Sequence, residues 1–112
     1  MKMPNADLAV VDQDKITDYL LNPAHPDNGG KAPFFLALGF RLSGWQSLAA
    51  ALRRLANTTS VTKKMESPHG LKYILDGKIE TPSGRSPRMR TIGIVDKGLR
   101  APRLVTAYPH QD

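Results

Sequence analysis

The sequence predicts an α+β fold, with two to three N-terminal helices followed by a four-stranded antiparallel sheet. Apolar residues recur at helical spacing as far as about Ala56, and from Thr58 short alternating runs rich in Thr, Val, Ile and Tyr replace them. Gly and Pro clusters divide those runs at hairpin intervals, and helices first with a meander afterwards is an α+β arrangement. One domain is expected over residues 1–112, with a helical part over about 12–57 and a sheet part over about 58–109, because a chain of this length buries one modest core.

Residues 12–21 read as a short helix, with an Asp cap at 12 or 14 and Ile16, Tyr19 and Leu20 sharing an apolar face. It is expected to stop near Asn22, because Pro23 disfavours the helical conformation in the residue before it. Residues 24–30, rich in Gly, Pro, Asp and Asn, form a loop. A second helix runs over about 30–38 and ends at Gly39, in the position of a helix-terminating glycine. Ser43 is the expected cap of a third helix over 44–56, which buries Trp45, Leu48, Ala49, Leu52 and Leu55 and leaves Arg53 and Arg54 outside. The expected strands are 60–65, 71–80, 89–96 and 103–108, with hairpin connections over 81–87 and 97–101.

Composition narrows the function classes. The chain has no Cys, which removes disulfides, thiolate metal sites and a Cys nucleophile. Its apolar runs fall short of the roughly 20 residues of a membrane span, so no membrane association is expected. The first seven residues lack the apolar core of a signal peptide, and a cytoplasmic, bacterial or phage-encoded product is the expectation. The net charge of +6 is uneven: residues 1–40 carry three Lys against five Asp, and residues 41–112 carry thirteen basic groups against five acidic ones. Such a basic part suits a polyanion such as RNA or an acidic protein partner.

Two segments carry the chemistry. Asn22-Pro23-Ala24-His25-Pro26-Asp27-Asn28-Gly29-Gly30-Lys31-Ala32 puts His and Lys in a Gly-rich turn that opens a helix. Pro102-Arg103-Leu104-Val105-Thr106-Ala107-Tyr108-Pro109 puts Arg, Thr and Tyr in a strand. Together they supply the groups that RNA cleavage without a metal requires. Gly29-Gly30-Lys31 lacks the first glycine, the following Ser or Thr and the preceding strand of a phosphate-binding loop, so nucleotide hydrolysis is not expected. Asp7, Asp12, Asp14 and Asp18 fit helix capping better than a calcium loop, and neither a metal nor another cofactor is expected. No Gly-x-Ser-x-Gly elbow is present.

These segments, with Gly30-Lys31-Ala32-Pro33-Phe34-Phe35, Leu38-Gly39-Phe40 and His69-Gly70-Leu71-Lys72-Tyr73, resemble a family of small bacterial domains of unassigned function. Similar sequences occur free-standing and at the C-terminal ends of contact-dependent or secreted polymorphic toxins. The resemblance covers residues 4–109, and its most specific parts are the Asn-Pro-x-His-Pro loop and the Pro-Arg-Leu-Val-Thr-Ala-Tyr ending. More distantly, the layout is similar to the ribonuclease fold shared by barnase, EndoU-type nucleases, colicin nucleases and RelE-like toxins. That likeness implies a catalytic set of His25, Lys31, Thr106 and Tyr108. The wider fold often uses a second imidazole, for which His69 is the candidate, His110 lying in the tail.

In this reading His25 is the acid or base, since imidazole titrates near neutrality. Lys31, with Arg90 or Arg103, offsets the charge of the phosphorane, and the helix start beside Lys31 favours anions. Thr106 bonds a phosphate oxygen or base edge, and Tyr108, two residues along, shares its sheet face and stacks on a base. The expected function is thus a metal-independent endoribonuclease toxin or toxin-like domain acting on RNA, with tRNA the substrate suggested by analogy to toxin families.

Each residue also has an ordinary structural use: His25 and His69 as turn residues, Lys31 as a solvated charge, Thr106 and Tyr108 as the polar face of a strand, and Trp45, Phe34, Phe35 and Phe40 as core. The rival function is a noncatalytic binding module whose basic sheet face docks a cognate antitoxin or immunity protein, which a free-standing chain from Met1 would suit. A third reading is a phage-encoded inhibitor that binds a host complex through Arg85, Arg88 and Arg90. The oligomeric state is left open.

Overall fold

The computed structural model describes residues 1–110. Three helical segments precede a four-stranded antiparallel sheet of order β1-β2-β3-β4. The first, α1, is a single α-turn over Gln13–Lys15 that runs directly into a π turn over Ile16–Leu20, where the Leu21 N–H donates to the carbonyl of Ile16 at 2.9 Å. It stops at the expected place, and the Asn22 N–H closes it on Tyr19. α2 spans Lys31–Ala37, and Gly39 follows it at φ +97°, a conformation that excludes most side chains. A Cβ there would also stand 3.0 Å from that of Pro82, because the β2–β3 loop folds onto the end of α2 through a bond from the Ser83 N–H to the Leu38 carbonyl.

α3 spans Trp45–Thr58, two residues past the expected end. Ser43 does not cap it: a 3-10 turn over Leu42–Gly44 leads in, Gly44 holds the cap position, and no side chain bonds the first turn. Asp12 likewise caps α1 only through its position, with no side-chain bond. The buried stripe of α3 is Leu48, Ala49, Leu52 and Leu55, whereas Trp45 at its start is half-buried.

The strands are β1, Val61–Ser67; β2, Gly70–Lys78; β3, Arg88–Asp96; and β4, Arg103–Pro109. β1 runs two residues further than its Thr/Val pattern indicated and β2 stops two residues short of Glu80, since the pairing register ends them. Tyr73, Leu75, Met89 and Ala107 point toward the helices and form one core with Ile16, Leu20, Phe35, Phe40 and the α3 stripe. Residues 1–11, which carry no periodic signal, cross this side of the sheet as a strap. Met1 accepts the Val61 N–H at the β1 edge, Met3 is buried against Gly93, and Val10 exchanges backbone bonds with Pro102 and Leu104 at β4. The strap therefore covers backbone groups that an edge strand would leave unpaired.

Alternation places the partners of the core residues on the opposite face. There Asp76 stands opposite Arg90, Arg90 opposite Tyr108, and Ile92 opposite Thr106. β4 carries a bulge: Thr106 pairs with Ile92 but Leu104 with Gly93, so Val105 is the extra residue. The bulge returns Arg103, paired with Ile94, to the same face as Thr106 and Tyr108.

Two carboxylates of this face are held by bidentate arginines. Arg90 donates from Nε and Nη2 to Asp76 at 2.8 and 3.0 Å, and Arg103 does the same to Asp96 at 2.7 and 3.1 Å. The Arg90 hydrogen bonds hold the Asp76 carboxyl below its ordinary value of 3.8, against the opposing effect of burial, and Thr62 assists. Asp96 is lowered in the same way, first by its bonds from Arg103.

Because its folded-state pKa is depressed, Asp76 contributes stability that is fully present above the ordinary carboxylate value and is lost as pH falls through the lower folded value. Urea unfolding is expected to show Asp76→Asn less stable than the wild type at pH 7, with the difference shrinking steadily as the pH is lowered below 4. At the other end of the same strand, Gly70 has φ +151° and an added Cβ would lie 2.2 Å from the Val95 carbonyl oxygen, a backbone atom that cannot yield cheaply. Gly70→Ala is expected to cost about 3 kcal/mol in the same measurement.

Candidate functional site

An open hollow of about 580 Å³ lies where α1 and the His25 loop meet β4. His25, Tyr19 and Lys15 line it from the helical side, Val105 and Thr106 from β4, and Asp14, Asp18 and Asp27 form its acidic rim. The volume suits a nucleotide-sized group.

The loop that carries His25 is built from its own polar side chains. Asn22 Oδ1 accepts the Ala24 N–H, the His25 N–H bonds the Asn22 carbonyl, and His25 Nδ1 accepts the Asp27 N–H at 3.0 Å. With Nδ1 engaged as an acceptor, the neutral ring carries its proton on Nε2. Any chemistry at this imidazole therefore begins from Nε2, and the ring is presented as a donor.

Asn28 ends the loop and is buried at 3% exposure. Its Nδ2 donates to the Tyr19 carbonyl at 2.6 Å, and its Oδ1 accepts the Ala32 N–H at 2.9 Å. The Asn28 carbonyl accepts both the backbone N–H and, at 3.0 Å, the Nζ of Lys31. Lys31 is thus folded back toward the first helix, with its ammonium 5.5 Å from the centre of the Tyr19 ring. The Lys15 ammonium lies 5.3 Å from the same ring, and His25 meets it edge-on at 5.0 Å. The Tyr19 hydroxyl is 2.9 Å from Thr106 Oγ1.

His25 and Thr106 therefore share one hollow, and Lys31 is joined to it through Tyr19. Tyr108 does not line it: it occupies the same sheet face two residues further along, beside Arg90, whose guanidinium is held above its ordinary value first by Asp76 and also by Tyr108. Arg103 borders a shallow depression with Asp14 and Lys15 next to the hollow, and its charge is engaged by Asp96. His69 sits in the β1–β2 turn, where its carbonyl accepts the Lys97 N–H, and it does not line the hollow. His110 follows β4, with its N–H on the Arg88 carbonyl, and its charge is felt by Asp76.

Tyr19 and Lys15 are site residues that the sequence pattern hides, since Tyr19 reads as a core position of an amphipathic helix. The nearest signal is the Asx-rich loop that follows, which needs a partner for Asn28. Among the described residues no group of three or more His, Asp or Glu is arranged to hold a metal ion, and no helix is long and apolar enough to cross a membrane.

A search of curated proteins returned no match. The fold is similar to that of a chain in the contact-dependent growth inhibition toxin–immunity protein complex from Klebsiella pneumoniae 342. The two chains are 20% identical, with a TM-score of 0.72 over 90% of this chain and 99% of the other. The model of the family described as Domain of unknown function (DUF6883) matches residues 2–111, and the chain belongs to that family.

Proposed function

We propose that the chain is a toxin-type endoribonuclease domain that cleaves RNA without a metal, with the His25–Thr106 hollow as its centre. The observation that carries this reading is the meeting of His25 and Thr106, 81 positions apart in the chain, in one nucleotide-sized hollow with two lysines held on the intervening Tyr19 ring. A fold in common with a chain of a toxin–immunity complex supports a toxin- or immunity-type role.

Cleavage of this class forms a bond from the ribose 2′-oxygen to phosphorus while the P–O5′ bond breaks. One proton leaves the 2′-hydroxyl and one joins the departing 5′-oxygen. An imidazolium at His25, formed by protonation of Nδ1 as the bond from the Asp27 N–H opens, gives its Nε2 proton in the second transfer, and the rim carboxylates of Asp14, Asp18 and Asp27 are the acceptors present for the first. Thr106 holds a nonbridging oxygen, and Lys15 and Lys31 offset the added negative charge. Tyr108, on the adjoining sheet face, serves as a stacking surface for a neighbouring base, with Arg90 fixed beside it by Asp76.

The second reading, a noncatalytic module that docks an acidic partner such as an antitoxin or immunity protein, draws on the same sheet face. Lys63, Lys72 and Lys78 stand there, while both aspartates of that face are consumed by arginines.

Incubation of the protein with total bacterial RNA in EDTA is expected to give discrete products ending in a 2′,3′-cyclic phosphate. His25→Ala is expected to slow cleavage by about 10²–10⁴-fold. Intact RNA with wild-type protein at micromolar concentration would instead favour the docking module, whose partner binding should weaken when Lys63 and Lys72 are reversed to Glu.

A further inference from the structure

We infer that Tyr19 is a positioning residue of this centre: its phenol donates to Thr106 Oγ1 and so leaves the single Thr106 proton to a ligand oxygen in the hollow. The inference rests on the ribonuclease reading above and assigns a role within that site that neither the sequence pattern nor the family resemblance supplies.

Three observations place Tyr19 in that role. The first is its backbone. In the π turn over Ile16–Leu20 the helix is widened by one residue, so Ile16, Leu20 and Leu21 are all buried while Tyr19 between them is only partly so. The Tyr19 carbonyl is then held from two directions, by the Asn22 N–H at 3.2 Å and by Asn28 Nδ2 at 2.6 Å. The side chain is left aimed at β4 from an anchored base.

The second is the hydroxyl contact, at 2.9 Å and partly buried, in which either oxygen is placed to donate and the phenol, far more acidic than an aliphatic hydroxyl, is the stronger donor. A threonine hydroxyl has one proton and two acceptor positions. On an edge strand, without a partner, it would rotate to bond the nearest backbone carbonyl or water. A phenol that donates to Oγ1 fills one acceptor position and turns the Thr106 proton outward. The ordering is achieved before a ligand arrives, as preorganised electrostatic stabilisation requires.

The third is the ring. Its edge contact with His25 and the two ammonium groups of Lys15 and Lys31 at 5.3 and 5.5 Å mean that one aromatic side chain touches groups from three separate segments. A tyrosine serving only as core filler has no need of its hydroxyl, and Tyr19→Phe separates the two roles by keeping the ring and removing the oxygen.

The test measures steady-state RNA cleavage in EDTA by wild type, Tyr19→Phe, Thr106→Ser, Thr106→Val and the two double variants, with the urea midpoint of each recorded. Tyr19→Phe is expected to lower kcat by about tenfold with KM unchanged and the midpoint nearly so. Added to Thr106→Ser, which keeps a hydroxyl, it is expected to cost a similar factor; added to Thr106→Val, which has none, it is expected to cost nothing further. Equal kcat for Tyr19→Phe and wild type overturns the assignment and leaves the ribonuclease reading standing. So does a full multiplicative loss in the Tyr19→Phe, Thr106→Val variant, since Tyr19 would then act independently of Thr106. A wild-type protein inert toward RNA overturns the ribonuclease reading and the assignment together.

Discussion

The carboxamide of Asn28 is sealed from solvent, so its donors and acceptor must find partners inside the protein or leave a deficit of about 1–3 kcal/mol. Those partners are the Tyr19 carbonyl on one side and the Ala32 N–H on the other, which clamps the end of the first helix to the start of α2. The Tyr19 and His25 side of the hollow hangs from this clamp. The His25 loop and Lys31 both lie in the short stretch between the two clamped points, and Tyr19 is the residue being held. α1 and α2 are each too short to be stable as isolated helices, so their mutual placement has to come from such a tertiary bond together with burial of Ile16, Leu20 and Phe35.

Charge in this molecule is divided between fixed and available groups. Asp76 and Asp96 lock the charged forks of Arg90 and Arg103 into ion pairs of nearly zero net charge, which sets their geometry at the expense of their reach. The lysines of the sheet face carry the longer-range attraction. Around the hollow the signs alternate, with Lys15 and Lys31 against Asp14, Asp18 and Asp27. A rim of both signs suits proton transfer, which needs acceptors beside donors, better than it suits tight capture of a polyanion. In the ribonuclease reading, affinity for RNA therefore comes from the sheet face and chemistry from the hollow at its edge.

Much of the fold is legible residue by residue. The α3 stripe of Leu48, Leu52 and Leu55 follows from helical spacing, the stop at Asn22 from Pro23, the end of α2 from Gly39, and the order of the strands from hairpin-length turns. The failures are equally particular. Ser43 matches the composition of a helix cap, yet the chain enters α3 through a 3-10 turn that puts Gly44 in the cap position. The strap over residues 1–11 has no period because its role is to pair with backbone at two sheet edges, a use that leaves no side-chain pattern.

Residue types and local rules were enough to determine which segments coil, which extend and where they turn, and the likeness to a ribonuclease fold singled out His25, Lys31, Thr106 and Tyr108 as the residues to follow. Convergence was decided elsewhere. Strict alternation along β4 would set Arg103 and Thr106 on opposite faces, and only the extra residue Val105 brings them to one. Helical periodicity would bury Tyr19 with Ile16 and Leu20, and only the π turn leaves it partly exposed and within reach of Thr106. Both devices insert a single residue into a regular repeat, and the choice of where to insert it depends on contacts with segments distant in the chain. A local reading of spacing cannot supply that information, because it assumes the repeat continues unbroken.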